Sequence, residues 1–227
     1  MANAFEAHNM TCCIPMPNGS KKTIFAHVDL TVQSGEIIDI TGPSGCGKST
    51  LLTAFARLNR YSTGQLALHG ISAKQYSPAK WRTQVAYIPQ QPILIGETVA
   101  DALRMPFGMR IRHPAQSHAP NDLKLEQLLT TLGCADIEMQ RPIHELSGGQ
   151  AARISLARTL LTKPQVLLAD EVDAALDPDN AYLVSQLLQH IATHEHVSII
   201  RVRHSADDGI ATRTLILNPE GLHHVNQ

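Results

Sequence analysis

The sequence predicts an α/β fold with a mainly parallel core sheet, an antiparallel β part on the N-terminal side and an inserted helical subdomain. Three observations predict it. Short apolar or alternating runs are interleaved with helical segments, the pattern of strands joined by crossover helices. A glycine-rich loop, GPSGCGKST (42–50), lies between a strand-like run and a helix-like one. The middle of the chain, from Glu97 to Leu161, carries mainly helical spacing.

The elements follow in order. HVDLTV alternates, with Val28, Leu30 and Val32 on one face, and reads as a half-buried strand. GEIIDIT is a short apolar run that ends at the glycine loop. KSTLLTAFARL (48–58) reads as a helix, and GQLALHG and QVAYIPQ read as strands. ETVADALRM and NDLKLEQLLTTLG carry helical spacing, separated by a proline-rich loop, PFGMRIRHPAQSHAP. PQVLLADE reads as a buried strand, and DPDNAYLVSQLLQHI as a helix entered through Asp-Pro, with 194–196 beyond its end. VSIIRVRH and TLILN complete the strands. The 227 residues suit a single domain, 1–227, with a core of 1–90 and 162–227 and a helical subdomain at about 91–161.

Composition narrows the function classes. The 19 basic and 20 acidic residues leave a net charge of −1, so no overall basic excess points to nucleic acid. The four cysteines, Cys12, Cys13, Cys46 and Cys134, form no CxxC pair, which argues against a zinc site and for a reducing compartment. No apolar run approaches the ~20 residues that span a bilayer. MANAFEAHNM lacks the basic start and apolar core of a secretory signal. These features lead us to expect a soluble, cytoplasmic chain.

Gly42-Pro43-Ser44-Gly45-Cys46-Gly47-Lys48-Ser49 fits G-x-x-x-x-G-K-[ST]. Its glycines let backbone N–H groups turn toward anionic oxygens, and the following helix adds its positive end. Lys48 is placed to neutralise the β and γ phosphates, and Ser49 to hold Mg²⁺. VLLADE (166–171) ends a strand in two carboxylates. With a phosphate loop in the chain, Asp170 is the candidate Mg²⁺ ligand and Glu171 the group that polarises the attacking water. HELSGGQAARISLARTL (144–160) starts a second helix on Ser-Gly-Gly, with Ser147 as N-cap and Ile154, Ala157 and Leu161 on one stripe.

In order along nearly the whole chain, these motifs resemble the nucleotide-binding subunit of an ABC transporter. The resemblance makes 42–49 the Walker A motif of a P-loop NTPase, with Thr50 also at the ATP, and Gln90 in YIPQ the Q-loop residue. It makes Leu146-Ser147-Gly148-Gly149-Gln150 the signature motif, with Arg153 following, and 166–170 Walker B. Asp177, in AALD, belongs to the D-loop, and His204, in VRHS, is the switch histidine. It implies a head-to-tail homodimer with two ATP molecules between the copies, each held by the Walker A of one and the signature helix of the other. Gln90 is then a link to Mg²⁺ or water, His204 a γ-phosphate contact, and Asp177 a dimer-seam residue. The implied partners are integral membrane permease subunits, which place the chain on the inner face of the cell membrane. A soluble, non-transport ABC ATPase of the iron–sulfur assembly type is the alternative. ITGPSGCGKSTLL and MPFGMRIRHP are similar to bacterial iron-export ATPases.

The sequence departs from the family in places. The adenine-stacking aromatic falls near Ile14, where CCIPMPNGSKK has none; Phe5 and Phe25 are possible substitutes. Asp39 interrupts an apolar strand, where burial requires a partner or a proton. Cys46 fills a variable position of the loop. His190, His194 and His196 invite a metal reading, but the chain is rich in histidine and 194–196 lies past the expected helix end, so a solvated surface is the better account. Arg104, Arg110, Arg112 and His113 are either a solvated loop or a contact for a membrane partner.

Overall fold

In the computed structural model the described residues are 3–112, 119–203, 207–218 and 220–224, with the side chain of Arg112 excepted. The chain opens with two long strands, β1 (Asn3–Pro15) and β2 (Lys21–Gln33), and a short one, β3 (Ile37–Thr41). Helix α1 (Lys48–Phe55) follows, then β4 (Ser62–Leu68), β5 (Ile71–Ser72), α2 (Pro78–Gln84) and β6 (Val85–Ile88). Helices α3 (Val99–Arg104), α4 (Asp122–Thr131) and α5 (Gly148–Leu160) occupy the middle. The chain then runs through β7 (Val166–Asp170), α6 (Pro178–Glu195), β8 (Ser198–Val202), β9 (Arg213–Asn218) and β10 (Gly221–His224).

Two sheets result. One is antiparallel, in the order β2-β1-β4-β5. The other has the order β10-β9-β3-β8-β7-β6 and is parallel except at β10. Every residue of β7 and β8 is buried, as expected of parallel strands covered on both faces. The non-sequential strand order brings the C-terminal ends of β3, β6 and β7 to one edge, where ligands of open α/β sheets bind.

One core lies against the antiparallel sheet, around Phe5, Phe25, Phe55 and Trp81, all fully buried. Trp81 satisfies its indole N–H on the Phe55 carbonyl at 2.9 Å, so the ring is buried at no cost in hydrogen bonding. The second core joins the parallel sheet to α4, α5 and α6 through Leu129, Ile154, Leu167, Leu188 and Ile199.

Several expectations need correction. Helix α1 stops at Phe55 rather than 58, because Arg57 takes a left-handed backbone (φ 54°). The strand β1 was not anticipated, since its buried and exposed positions lose strict alternation at register shifts near Ala7–Met10 and Met10–Cys12. Helix α2 was also unforeseen, although Ser77 caps it and Pro78 occupies its first turn. Helix α6 runs to Glu195, so His194 lies inside it, stacked on His190 at 4.4 Å; His196 closes the helix in a left-handed conformation. Arg104 belongs to the last turn of α3 rather than to a loop, and at the surface it pairs with Asp122. Met105–Gly108 and Arg110–Arg112 form short 3₁₀ turns, and His113 lies outside the described residues.

Candidate functional site

The loop 42–47 leaves the end of β3 and turns into α1. Gly42 (φ 142°) and Gly47 (φ 106°) hold backbone conformations that side chains rarely adopt. A Cβ on Gly42 would lie 2.6 Å from the Leu217 carbonyl oxygen, and one on Gly47 would lie 2.5 Å from Ile24 Cγ2. Gly47 is also the N-cap of α1 and supplies no capping side chain. Lys48 is buried, and its ammonium donates to the Gly42 and Pro43 carbonyls at 2.9 and 3.1 Å. The loop therefore arches over its own lysine, and the ammonium and the helix N-terminus face one cleft.

That cleft, about 530 Å³, is lined by Ser44, Lys48, Ser49, Gln90, Glu171 and Ile24 among others. Distant segments supply its polar groups. Ser49 donates to Asp170 Oδ1 at 3.1 Å, across 121 residues of sequence. Gln90, just beyond β6, donates to Glu171 Oε2 at 2.8 Å. Glu171 has a left-handed backbone (φ 49°), a conformation uncommon outside glycine and recurrent at functional sites, and its N–H bonds the Val202 carbonyl at 3.0 Å. The Ser49, Gln90, Asp170 and Glu171 read from the sequence thus meet in one place.

Tyr87 was missed. Its hydroxyl donates to Asp170 Oδ2 at 3.0 Å, so Asp170 is held on one oxygen by Ser49 and on the other by Tyr87. Burial, then the charge of Asp170, pushes the phenol well above its ordinary pKa and keeps it a proton donor. Strand alternation does carry the signal, because β6 pairs in parallel with β7 and sets Tyr87 beside Leu168.

Ser147 lies apart from this cleft. It caps α5 reciprocally with Gln150: Ser147 Oγ accepts from the Gln150 N–H at 3.2 Å, and Gln150 Oε1 accepts from the Ser147 N–H at 3.0 Å. Ser147 and Gly148 are exposed, and a Cβ on Gly148 would meet nothing within 4 Å. Behind them Arg153 is buried and donates to the Leu132 and Gly133 carbonyls at 2.9 and 2.7 Å, and also to Asn180. Asn180 in turn bonds Asp177, whose carboxylate caps α6 through the Asn180 N–H at 3.0 Å. These bonds to Asn180 lower the Asp177 pKa. Arg153 therefore ties α5 to the Asp177 turn that starts α6. His204 lies outside the described residues.

Asp39 finds its partner beneath the phosphate loop. Arg201, on the neighbouring strand β8, grips it in a fork at 2.7 and 2.8 Å. Arg201 also holds Asp208 at 2.9 Å, and Arg203 joins Asp208 to Asp173, each at 2.9 Å. Burial raises the Asp39 pKa against the pull of Arg201. Burial also pushes Asp208 up, but hydrogen bonds from Arg201 and Ser185 and the charges of Arg201 and Arg203 outweigh it and hold Asp208 well below the usual carboxylate range. Phe5 and Phe25 are fully buried, so neither is available to stack on a base; Ile24 lines the cleft instead.

Comparison with known proteins agrees with this geometry. The family model described as ABC transporter matches residues 25–174. The chain is 35% identical over 197 residues to "Probable iron export ATP-binding protein FetA" of Escherichia coli (strain K12), covering 86% of this chain and 85% of that protein. The chain belongs to the ABC transporter family. It is an ATP-binding subunit of that family and an ATPase. This ABC cassette is also 37% identical over 182 residues to "Methionine import ATP-binding protein MetN 1" of Pseudomonas syringae pv. syringae (strain B728a), spanning 53% of that protein. Its fold matches the dimeric structure of MJ0796, a bacterial ABC transporter cassette, with a TM-score of 0.81 at 23% identity over 98% of this chain and 99% of that one. No helix among the described residues is long and apolar enough to cross a membrane.

Proposed function

We propose that two copies of this cassette close head to tail on two ATP molecules, and that closure drives separate integral membrane permease subunits from the inner face of the cell membrane. One observation carries the proposal. Lys48, Ser49, Gln90, Asp170 and Glu171 converge within one chain, whereas Ser147 and Gly148 face solvent and do not line that cleft. A signature helix that stays outside its own cleft is suited to complete that of a second copy.

Within each site Lys48 binds the β and γ phosphates. Ser49 Oγ and Asp170 Oδ1, 3.1 Å apart, offer the hard oxygen donors that Mg²⁺ prefers, with Gln90 close to Glu171 as a third. Mg²⁺ supplies charge neutralisation at the phosphate oxygens. Glu171 accepts a proton from the attacking water, and Gln90 fixes the carboxylate that does so. His204 contacts the γ-phosphate, and Asp177 lies at the seam. The base rests on Ile24 rather than on an aromatic ring.

The helical part, about 91–161, presents the signature helix and receives the permease. Ile93 and Ile95, exposed and just beyond Gln90, offer it apolar side chains, and Arg158 holds the Ile93 carbonyl at 2.8 Å. The names of the Escherichia coli and Pseudomonas syringae relatives are those of transport subunits, which favours transport over a soluble assembly role, and the former supports metal export. Gel filtration of Glu171→Gln with ATP and Mg²⁺ tests the proposal. A dimer is expected, and an ATP-loaded monomer overturns it.

A further inference from the structure

A second polar cavity, of about 420 Å³, opens away from the ATP cleft, between the end of α1, β4 and the turn before α2. Its charge is one-sided. Arg57, Arg60 and Lys74 line it, and no carboxylate does. Among the described residues none of these three cations is held in an ion pair. Arg57 donates only to carbonyl oxygens, of Ala73 at 2.6 Å and Tyr76 at 2.9 Å. Arg60 reaches the Tyr61 hydroxyl at 2.6 Å, with its guanidinium 4.8 Å from the centre of that ring.

The sequence shows that this is regional. From Ile40 to Gly96 there are six Lys and Arg residues (48, 57, 60, 74, 80 and 82) and not one of the chain's 20 Asp and Glu. A chain with a net charge of −1 therefore concentrates basic residues in this segment, and three of the six line the cavity. Guanidinium forks and an ammonium group suit oxyanions.

We infer that this cavity is an anion-binding site for a small molecule carrying several phosphate groups, separate from the ATP cleft. Its volume lies within the range of small-molecule sites and exceeds what one phosphate fills. Helix α1 belongs to both sites: Lys48 and Ser49, in its first turn, face ATP, and Ala54, in its last, lines this cavity.

Tripolyphosphate is the probe, titrated by calorimetry into the full chain carrying Lys48→Ala, so that the ATP cleft does not compete. The same titration is made with Arg60→Glu and Lys74→Glu added; both residues are exposed, so the fold should be kept, as thermal melting checks. One site per chain is expected, weakened at least about tenfold by the charge reversals and by raising salt from about 50 to about 300 mM. Arg60→Gln with Lys74→Gln, which removes the two charges without reversing them, should weaken it about fivefold and serves as the deciding variant if the charge reversals unfold the chain. No binding, or equal binding by parent and variants, overturns the inference. Sedimentation with phosphatidylglycerol vesicles separates the other source of phosphate: retention on vesicles without tripolyphosphate binding assigns the surface to lipid headgroups and also overturns it.

Discussion

The chain starts two helices on glycine-rich turns, and the two starts are built in opposite ways. At α1 the cap residue is Gly47, which contributes no side chain, so the helix end and Lys48 are left facing the cleft. At α5 the cap is Ser147, and a reciprocal bond with Gln150 satisfies two backbone donors within the protein. The first start is surrounded by carboxylates and amides of its own chain, from Gln90 to Glu171. The second faces solvent, supported from behind by Arg153. A glycine-rich helix start therefore does not define a nucleotide site. The groups the fold brings to it decide whether it makes a whole site or half of one.

Substitutions that strike one start and spare the other test this contrast. Lys48→Ala should have the largest effect, lowering ATP affinity by at least about a hundredfold and abolishing turnover with it, because a buried cation on the phosphates is lost. Unchanged affinity by calorimetry would remove the assignment of the first start. Glu171→Gln should keep ATP binding and slow turnover about 10²- to 10⁴-fold, the usual worth of a positioned base. Phosphate release under saturating ATP measures it. Ser147→Arg belongs to the other half. ATP affinity of the monomer should stay within about twofold, while ATP-dependent dimerisation is lost and turnover falls at least about tenfold. Normal turnover would mean that the second start does not serve a partner's nucleotide.

The sequence revealed the two starts more readily than what supports them. Glycines, Lys48, Ser49 and the Asp170-Glu171 pair are legible because phosphate chemistry demands those residue types at fixed local spacing. Asp39 stood out as an anomaly, but its partner lies 162 residues away on β8, and only the parallel pairing of Asp39 with Arg201 explains it. Strand β1 escaped notice because its register shifts break the alternation on which a reading depends. The end of α1 was misplaced because Ala56-Arg57-Leu58 has good helix formers, and a single left-handed residue overrides them.

The Asp39–Arg201 pair distinguishes the foundations of the two starts. It lies under the first, in the strand that delivers the phosphate loop, and Arg201 also holds Asp208. Asp39→Leu should cost about 3–5 kcal/mol, because it leaves the Arg201 guanidinium buried with half its partners gone. Replacing both by Asp39→Leu and Arg201→Met should recover much of that loss, since removing a buried pair costs less than breaking it. Urea unfolding of the two variants measures the difference. A double variant no more stable than the single one would mean that Arg201 is required for Asp208 rather than for Asp39.

Tyr87 offers the finest test of what completes the first start. Its hydroxyl and that of Ser49 hold the two oxygens of Asp170. Tyr87→Phe keeps the ring against its neighbours and deletes one bond to a charged group, worth about 1.5–3 kcal/mol, of which only part need reach the metal. If that bond orients Asp170 toward the metal, the Mg²⁺ concentration for half-maximal ATPase activity should rise about fivefold, with turnover at saturating Mg²⁺ nearly unchanged. Loss of packing alone would lower the melting temperature and leave the Mg²⁺ curve in place. The two outcomes separate a residue that positions Asp170 from one that only fills the space beside it.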